Sequence, residues 1–70
     1  MIRQRVSSSN IASIGYDSST FILEIEFNSG SIYQYSNVPI SIYNAFMTAS
    51  SHGTYFSRFI KDVFRYRKIR

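Results

Sequence analysis

Several residue types that build common functional sites are missing or scarce in this chain of 70 residues. It contains no cysteine, which excludes a disulfide framework and a thiolate zinc site. Its single histidine, His52, excludes a metal site built from several histidines. Apolar runs reach only three residues, as in 21–23, so no membrane-spanning helix is predicted. Residues 1–4 lack the apolar stretch of a signal peptide, and we expect a cytoplasmic protein that has no membrane partner.

Groups that could perform catalysis are equally few. There are only four acidic residues, and Asp17 stands in a run of turn-forming residues. Asp62 follows Arg58 by four positions, which suits an ion pair on a helix surface. Glu24 and Glu26 alternate with apolar residues, which places them on the solvated face of a strand. No serine stands in a G-x-S-x-G elbow. We therefore predict a non-enzyme with no catalytic residue, metal site, cofactor or small-molecule substrate.

The chain is rich in aromatic residues, with six Phe and six Tyr. A chain of this length allows one domain, which we assign to 1–70. Small domains bury little surface, so nearly every large apolar side chain is needed in the core. The polar, serine-rich segment 1–10 is predicted to be an extended lead-in, and 67–70 a basic C-terminal tail.

Alternating apolar and polar residues predict three strands, over 12–16, 21–27 and 31–35. The second strand shows the clearest alternation, since its apolar residues are separated by Glu24 and Glu26. Such a strand has one buried face and one face in contact with water. Three strands joined by short loops form an antiparallel meander.

The loop Asn28-Ser29-Gly30 decides the register of the last two strands. With three loop residues, Tyr33 pairs with Ile25, and both Tyr33 and Tyr35 lie on the buried face. With a two-residue turn, Tyr33 lies beside Glu26 on the outer face. We favour the first register, because a small core needs both rings.

Two helices are predicted after the strands. Val38-Pro39 ends the sheet, because the residue before a proline is extended and proline suits a first helical turn. Helical spacing predicts one helix over 42–50 and a second from Thr54, which can cap it, with Ser51-His52-Gly53 as the break. The predicted fold is α+β: a three-stranded antiparallel β-meander followed by two α-helices packed on one face (β-β-β-α-α).

The predicted second helix separates apolar from basic residues. At 100° per residue, one arc of about 140° holds the apolar residues Phe56, Phe59, Ile60, Val63 and Phe64. A basic stripe lies within about 80° on the opposite side, formed by Arg58, Lys61, Arg65 and Lys68. The stripe is open to two interpretations: a surface for a phosphate backbone, or a solvated helix face whose cations favour the helix dipole.

Several short strings stand in order over residues 6–66: Ser7-Ser8-Ser9, Ile11, Gly15-Tyr16-Asp17, Phe27 with Gly30, Tyr33-Gln34-Tyr35, Val38-Pro39, Ser51-His52-Gly53, Tyr55-Phe56 and Ile60. Together they resemble the KTSC domain, which occurs at the C-terminus of some lysyl-tRNA synthetases and as stand-alone bacterial and phage proteins. Tyr33-Gln34-Tyr35 matches its central YxY signature. The resemblance implies RNA binding, through the family's attachment to a tRNA synthetase. His52 stands where the family often has lysine, and Thr54 and Ser57 also depart from its pattern, so the loop between the helices is less basic here.

Two functions remain open at this point. The first is weak, sequence-tolerant binding of RNA or another single-stranded nucleic acid, with six candidate residues: Arg58, Lys61, Arg65, Arg67, Lys68 and Tyr66. The second is a protein-interaction module that docks on a larger protein through the surface aromatics Tyr43, Tyr55 and Tyr66. Pairing of two copies through an edge strand is a third outcome.

Overall fold

The computed structural model describes all residues from 1 to 70, in one antiparallel sheet and two helices. The strands are β1 (Arg3–Arg5), β2 (Ile11–Asp17), β3 (Ile22–Phe27), β4 (Ile32–Tyr35) and β5 (Tyr66–Lys68), and they lie side by side in chain order. The helices α1 (Ile40–Thr48) and α2 (His52–Phe59) connect β4 with β5. The α+β class and the two helices are confirmed. The prediction of three strands is wrong, because each end of the chain adds one strand to the sheet.

At the N-terminus, the segment predicted as a lead-in contains β1. Arg3 lies opposite Gly15 on β2, and the two strands are antiparallel. The missing side chain of Gly15 allows this approach, because a Cβ atom there would lie 2.9 Å from the carbonyl oxygen of Ile2. Periodicity could not reveal β1, since only three residues form it and a short polar edge strand carries no apolar pattern.

At the C-terminus, the predicted long second helix is replaced by a short helix and a strand. Ser51 caps α2 by accepting a hydrogen bond from the Thr54 amide at 3.2 Å, so the predicted cap at Thr54 is wrong. The helix ends at Phe59, and Asp62 adopts a left-handed φ of 63° that turns the chain. β5 then pairs with β4, whose backbone groups would otherwise form an open sheet edge.

The predicted register of β3 and β4 is confirmed. Ile25 pairs with Tyr33 and Leu23 with Tyr35, and Gly30 in the three-residue loop adopts a φ of 96°. Leu23, Ile25 and Tyr35 belong to one core cluster, and Tyr33 packs against it. The cluster consists of Ile11, Ile14, Leu23, Ile25, Tyr35, Val38, Phe46 and Ile60. Neither helix has the length and apolar character needed to cross a bilayer.

The opposite face of the sheet carries an ionic network rather than a plain solvated surface. Arg3, Gly15, Glu24, Gln34 and Arg67 follow one another directly across the five strands. The Glu24 carboxylate accepts hydrogen bonds from Arg3 and from Gln34, the latter at 2.8 Å, and only 6% of the residue is exposed. The prediction that Glu24 lies on a wet surface is therefore wrong, because β1 adds an arginine that covers it.

Candidate functional site

An aromatic cleft of about 590 Å³ opens between the helix-facing side of the sheet and α2. Its apolar wall is formed by Phe27 on β3, Tyr33 and Tyr35 on β4, Phe56 on α2 and Tyr66 on β5. Strand alternation places Tyr33 and Tyr35 on the same face, and the pairing of β5 with β4 brings Tyr66 beside them. The outer wall of the cleft depends on β5, because β5 carries Tyr66 and pairs only with β4.

The rings of the aromatic cleft contact one another in a continuous cluster. Tyr66 lies 5.5 Å from Tyr33 and 5.7 Å from Tyr35, measured between ring centroids. Phe56 lies 5.8 Å from Tyr35 and 5.4 Å from Phe27. Tyr35 is only 4% exposed, whereas Tyr66 is 58% exposed. The cluster therefore extends from the core to the solvent, and its outermost ring has a free face.

Burial also changes the chemistry of the Tyr35 hydroxyl. Desolvation, together with the charges that Tyr33, Tyr66 and Asp62 carry when ionised, raises the pKa of Tyr35 to about 12. The hydroxyl therefore stays protonated well into the alkaline range, where an ordinary tyrosine would ionise.

The rim of the aromatic cleft is polar and is held in place by the β3–β4 loop. Asn28 donates from Nδ2 to the carbonyl oxygens of Ser8 and Ser9, at 3.1 and 2.9 Å. The backbone amide of Asn28 donates to the carbonyl oxygen of Asn10 at 2.8 Å. Ser9 and Asn10 thereby line the cleft together with Lys61, which follows α2. The rim thus combines hydroxyl, amide and ammonium donors with one carboxylate, that of Asp62, around an aromatic wall.

A second, smaller space adjoins the aromatic cleft. This polar hollow of about 320 Å³ has no apolar lining residue: Ser9, Asn10, Ser51, Gly53, Thr54, Ser57 and Arg58 form it. Four of these residues also line the aromatic cleft: Ser9, Asn10, Gly53 and Ser57. The two spaces are therefore neighbours that share a wall.

The structure separates the six residues predicted to bind nucleic acid. Lys61 and Tyr66 line the aromatic cleft, and Arg58 lines the polar hollow. Lys68 lies opposite Tyr33 on β5, and therefore on the same face as Tyr66. Arg67 points to the opposite face, where its guanidinium lies 3.5 Å from the side-chain oxygen of Gln34.

Arg65 precedes β5, and its carbonyl oxygen accepts a hydrogen bond from the Ser36 amide at 2.9 Å. The basic stripe predicted on the second helix is not formed, because α2 ends at Phe59. Of its four members only Arg58 is helical. The predicted pairing of Arg58 with Asp62 is also wrong, since the carboxylates that form ion pairs are those of Glu24 and Glu26.

No group of three or more His, Cys, Asp or Glu side chains comes together in a way that could hold a metal ion. His52 packs against Phe46, with ring centroids 6.0 Å apart, and its Nε2 atom is buried without a hydrogen-bond partner. His52 is thus packed between α2 and α1 and lines neither the aromatic cleft nor the polar hollow.

Comparison with known proteins identifies the family. The family model for the KTSC domain matches residues 7–64. The chain belongs to the KTSC domain family. The crystal structure of a KTSC domain protein from Yersinia pestis is 48% identical, with a TM-score of 0.96 over 99% of this chain and 97% of that one. A protein of Stutzerimonas stutzeri is 40% identical over 99% of both chains.

Larger proteins also contain a related segment. The lysine–tRNA ligase of Trichormus variabilis is 43% identical over 54 residues, which are 77% of this chain but only 10% of the ligase. A lysine–tRNA ligase of Nostoc punctiforme is 39% identical over 59 residues, again 10% of its length. This KTSC domain thus spans a tenth of each ligase, and the resemblance seen in the sequence is confirmed.

Of the cleft residues, only Lys61 and Tyr66 were predicted to bind a ligand; Tyr33 and Tyr35 were predicted as core rings, and Phe27, Phe56 and the polar rim were missed. The sequence did contain a signal for these residues, because the strings that resemble the KTSC domain come together at the aromatic cleft. Six of those strings contribute a side chain or backbone to the cleft wall: Ser9, Ile11, Phe27, the pair Tyr33 and Tyr35, Gly53, and Phe56. Their convergence requires the three-dimensional fold, since they are far apart along the chain.

Proposed function

We propose that this KTSC domain is a binding module for single-stranded RNA, which places an unpaired base against the aromatic cleft. The observation that carries the proposal is the combination of five rings around one open space of about 590 Å³, with Lys61 and Asp62 among the residues that line it. Ligand sites in proteins occupy ~300–1,000 Å³. A nucleobase suits such a space, because it is flat, aromatic and attached to an anionic backbone.

Base stacking on Tyr66 supplies the first part of the interaction. Tyr66 is 58% exposed, and its ring contacts those of Tyr33 and Tyr35. Stacking a base on an aromatic side chain contributes about 1–3 kcal/mol and tolerates any sequence, because every base has a π-face.

Charge supplies the second part. The chain carries a net charge of +4, and Arg58 and Lys61 belong to none of the ion pairs of the structure. Lys68 extends this positive charge along β5 on the side of Tyr66. With about four phosphate contacts to a single strand, the slope of log K against log salt should lie near −3.

The preference for RNA over DNA rests on the relatives. Lysine–tRNA ligases carry a segment 43% identical to this chain, and the name of these proteins states that a tRNA is their substrate. A module attached to such an enzyme is well placed to contact the same RNA.

The proposal is tested by fluorescence anisotropy with a labelled single-stranded RNA at two salt concentrations. Tyr66→Ala should weaken binding about 5- to 150-fold by removing the stacking contact. Lys61→Glu should weaken binding and flatten the salt dependence. Arg5→Glu is the matched control, because it changes net charge equally but lies on β1, the far edge of the sheet. Absence of binding at low salt, or equal losses in Lys61→Glu and Arg5→Glu, would refute the proposal.

A protein-interaction module is the second candidate function. Two large apolar side chains near the end of α2 are exposed, Phe59 to 47% and Val63 to 60%. By contrast, Tyr43 stacks on Tyr16 at 4.8 Å and Tyr55 on Phe46 at 5.5 Å, which makes them poor anchors for a partner. If protein docking is the function, Phe59→Ser should abolish recovery of a defined partner at high salt, whereas Lys61→Glu should not.

A further inference from the structure

We propose that the aromatic cleft and the polar hollow form one two-part site for the phosphorylated end of an RNA strand. The terminal base would occupy the aromatic cleft, and its terminal phosphate would occupy the polar hollow against Arg58. This inference rests on the proposed function and deepens it, because it names the part of the RNA that the site recognises.

The composition of the polar hollow matches an anion. Its side chains are hydroxyls, one amide and one guanidinium, without a carboxylate among them: Ser9, Asn10, Ser51, Thr54, Ser57 and Arg58. Arg58 is its only charged residue, and no acidic partner neutralises it. A terminal phosphate has ~2 negative charges and three acceptor oxygens, so it can use several such donors at once.

Two donor groups of the polar hollow are left without an acceptor in the protein. Ser51 donates its hydroxyl proton to Thr54 Oγ1 at 3.0 Å, which leaves the Thr54 hydroxyl free to donate its own proton. Ser9 donates to the side-chain oxygen of Asn10 at 3.4 Å, which leaves the Asn10 amide group as a donor. Hydroxyl and amide protons that the protein does not use are the groups that bind phosphate oxygens.

The shared wall connects the polar hollow to the aromatic cleft. Gly53 lines both spaces, and a Cβ atom placed on it would come no closer than 3.8 Å to its nearest neighbour, Asn10 Nδ2. A nucleotide has the same division as the site, with a flat apolar base at one end and an anionic phosphate at the other. An internal phosphodiester carries one charge and two free oxygens, so it would use fewer of these donors than a terminal phosphate.

The experiment compares one short single-stranded RNA in three forms: with a 5′-phosphate, with a 3′-phosphate, and with hydroxyls at both ends. We expect one of the phosphorylated forms to bind the wild-type chain about tenfold more tightly than the unphosphorylated form. The preferred form identifies which end is recognised. Arg58→Gln should remove this tenfold gain and should weaken binding of the unphosphorylated form much less, since that form loses only a general charge contact. Arg5→Gln, at the opposite edge of the sheet, should retain the gain.

Gly53 provides a second test that removes no functional group. Gly53→Ala adds a Cβ atom at ordinary contact distance, and we expect it to bind like the wild type. Gly53→Leu would place a larger side chain in the shared wall and should weaken binding of the phosphorylated form at least tenfold. Gly53 is the second residue of α2, so alanine and leucine are both compatible with its helical backbone. Circular dichroism checks that both variants are folded.

The outcomes separate this inference from the proposed function. Equal affinity for all three forms, or equal weakening of all three by Arg58→Gln, would overturn the inference. The proposed function would still stand in that case if Tyr66→Ala weakened binding of the unphosphorylated form. If no form binds at low salt, both the inference and the proposed function are wrong.

Discussion

Tyr35 and Tyr66 lie directly opposite each other on β4 and β5, with ring centroids 5.7 Å apart. The contact joins the middle of the chain to its C-terminal end, across 31 positions that include both helices. It explains why the second helix is short, since residues that pair with β4 cannot continue α2. It also connects fold with function, because the same pairing builds the outer wall of the aromatic cleft.

The first prediction concerns the backbone of this C-terminal strand. The amides of Ile32 and Ser36 donate to the carbonyl oxygens of Arg70 and Arg65, each at 2.9 Å. We expect both amides to be protected in hydrogen exchange, because β5 covers that edge of β4. Ile69→Pro should reduce the protection, since proline cannot make the bond from the Ile69 amide to the Ile32 carbonyl oxygen, which measures 2.8 Å.

Ile69→Ala is the control, because it shortens the side chain and keeps the amide. It should leave the protection of Ile32 and Ser36 close to that of the wild type. Fast exchange at both amides in the wild-type chain would instead support a helix that continues past Phe59, with β4 as an open edge.

The elements that could be predicted from sequence are those with strong local patterns. Alternation located β2 to β4, the loop ending at Gly30 fixed the register of β3 and β4, and Pro39 marked the start of α1. The elements missed were β1 and β5, each only three residues long and composed of polar or basic residues apart from Tyr66. Their formation depends on pairing with a distant strand, which no local periodicity records.

The error in the second helix has a specific cause. Phe56, Ile60 and Phe64 do face the core, but Phe59 and Val63 of the same predicted arc are exposed. The core residues Phe56, Ile60 and Phe64 are four positions apart, as in a continuous helix, although only Phe56 lies in α2. Periodicity alone therefore could not locate the end of α2. The aromatic cleft was missed for the same reason, since Tyr66 was assigned to a helix surface.

The second prediction concerns the close approach of β1 to β2. Gly15→Ala would place a Cβ atom 2.9 Å from the Ile2 carbonyl oxygen and 3.0 Å from Arg3 Cγ, so the backbone of β1 must move. We expect a loss of about 1–3 kcal/mol in the free energy of unfolding, measured by urea denaturation.

A deletion of residues 1–5 identifies the source of this cost. In the shortened chain, Gly15→Ala should change stability by less than about 0.5 kcal/mol, because the clashing strand is absent. Gly53→Ala serves as the matched control in the full-length chain: its Cβ atom has no neighbour closer than 3.8 Å, and alanine is the better helix former by up to ~1 kcal/mol. An undiminished cost in the shortened chain would contradict the steric explanation.

The third prediction concerns the ion pair between Arg3 and Glu24. Arg3→Met should destabilise the chain by about 1–3 kcal/mol, because it leaves a buried carboxylate without its cation. The cost should fall below that of a fully buried pair, since 26% of the Arg3 side chain is exposed. The double variant Arg3→Met with Glu24→Gln should be more stable than Arg3→Met alone, because no unpaired charge remains. A less stable double variant would contradict this account.

The same carboxylate predicts an acid dependence of stability. Burial alone would raise the pKa of Glu24, but hydrogen bonds from Gln34 and Arg3, with the Arg3 charge, lower it below its ordinary value of 4.5. The stabilisation by Glu24 is therefore present above pH 4.5 and is lost as the pH falls through the lowered pKa. In urea titrations at pH 7 and pH 3, Glu24→Gln should lose less stability than the wild type. An equal loss would show that other groups cause the acid dependence.

The fourth prediction concerns Tyr35 at alkaline pH. Its pKa rises to about 12 from an ordinary value of 10.0, first through burial and then through the nearby Tyr33, Tyr66 and Asp62. Because the folded state holds the proton more tightly, the stabilisation is fully present below pH 10 and is lost between pH 10 and pH 12. At ~1.4 kcal/mol per pKa unit, the loss approaches about 3 kcal/mol. Tyr35→Phe should show a correspondingly smaller decline over this range.

Tyr16→Phe distinguishes this titration from a simple loss of a hydroxyl. The Tyr16 hydroxyl donates to the Val38 carbonyl oxygen at 2.6 Å, so its removal should cost about 1 kcal/mol already at pH 8. Tyr35→Phe should change stability little at pH 8, because the Tyr35 hydroxyl faces the cleft rather than a protein acceptor. Urea denaturation at pH 8, 10 and 12 separates the two cases. If the Tyr35→Phe variant showed the same alkaline decline as the wild type, the titration of Tyr35 would not be its cause, and the Tyr35 hydroxyl would be more accessible to water than the 4% exposure of the residue indicates.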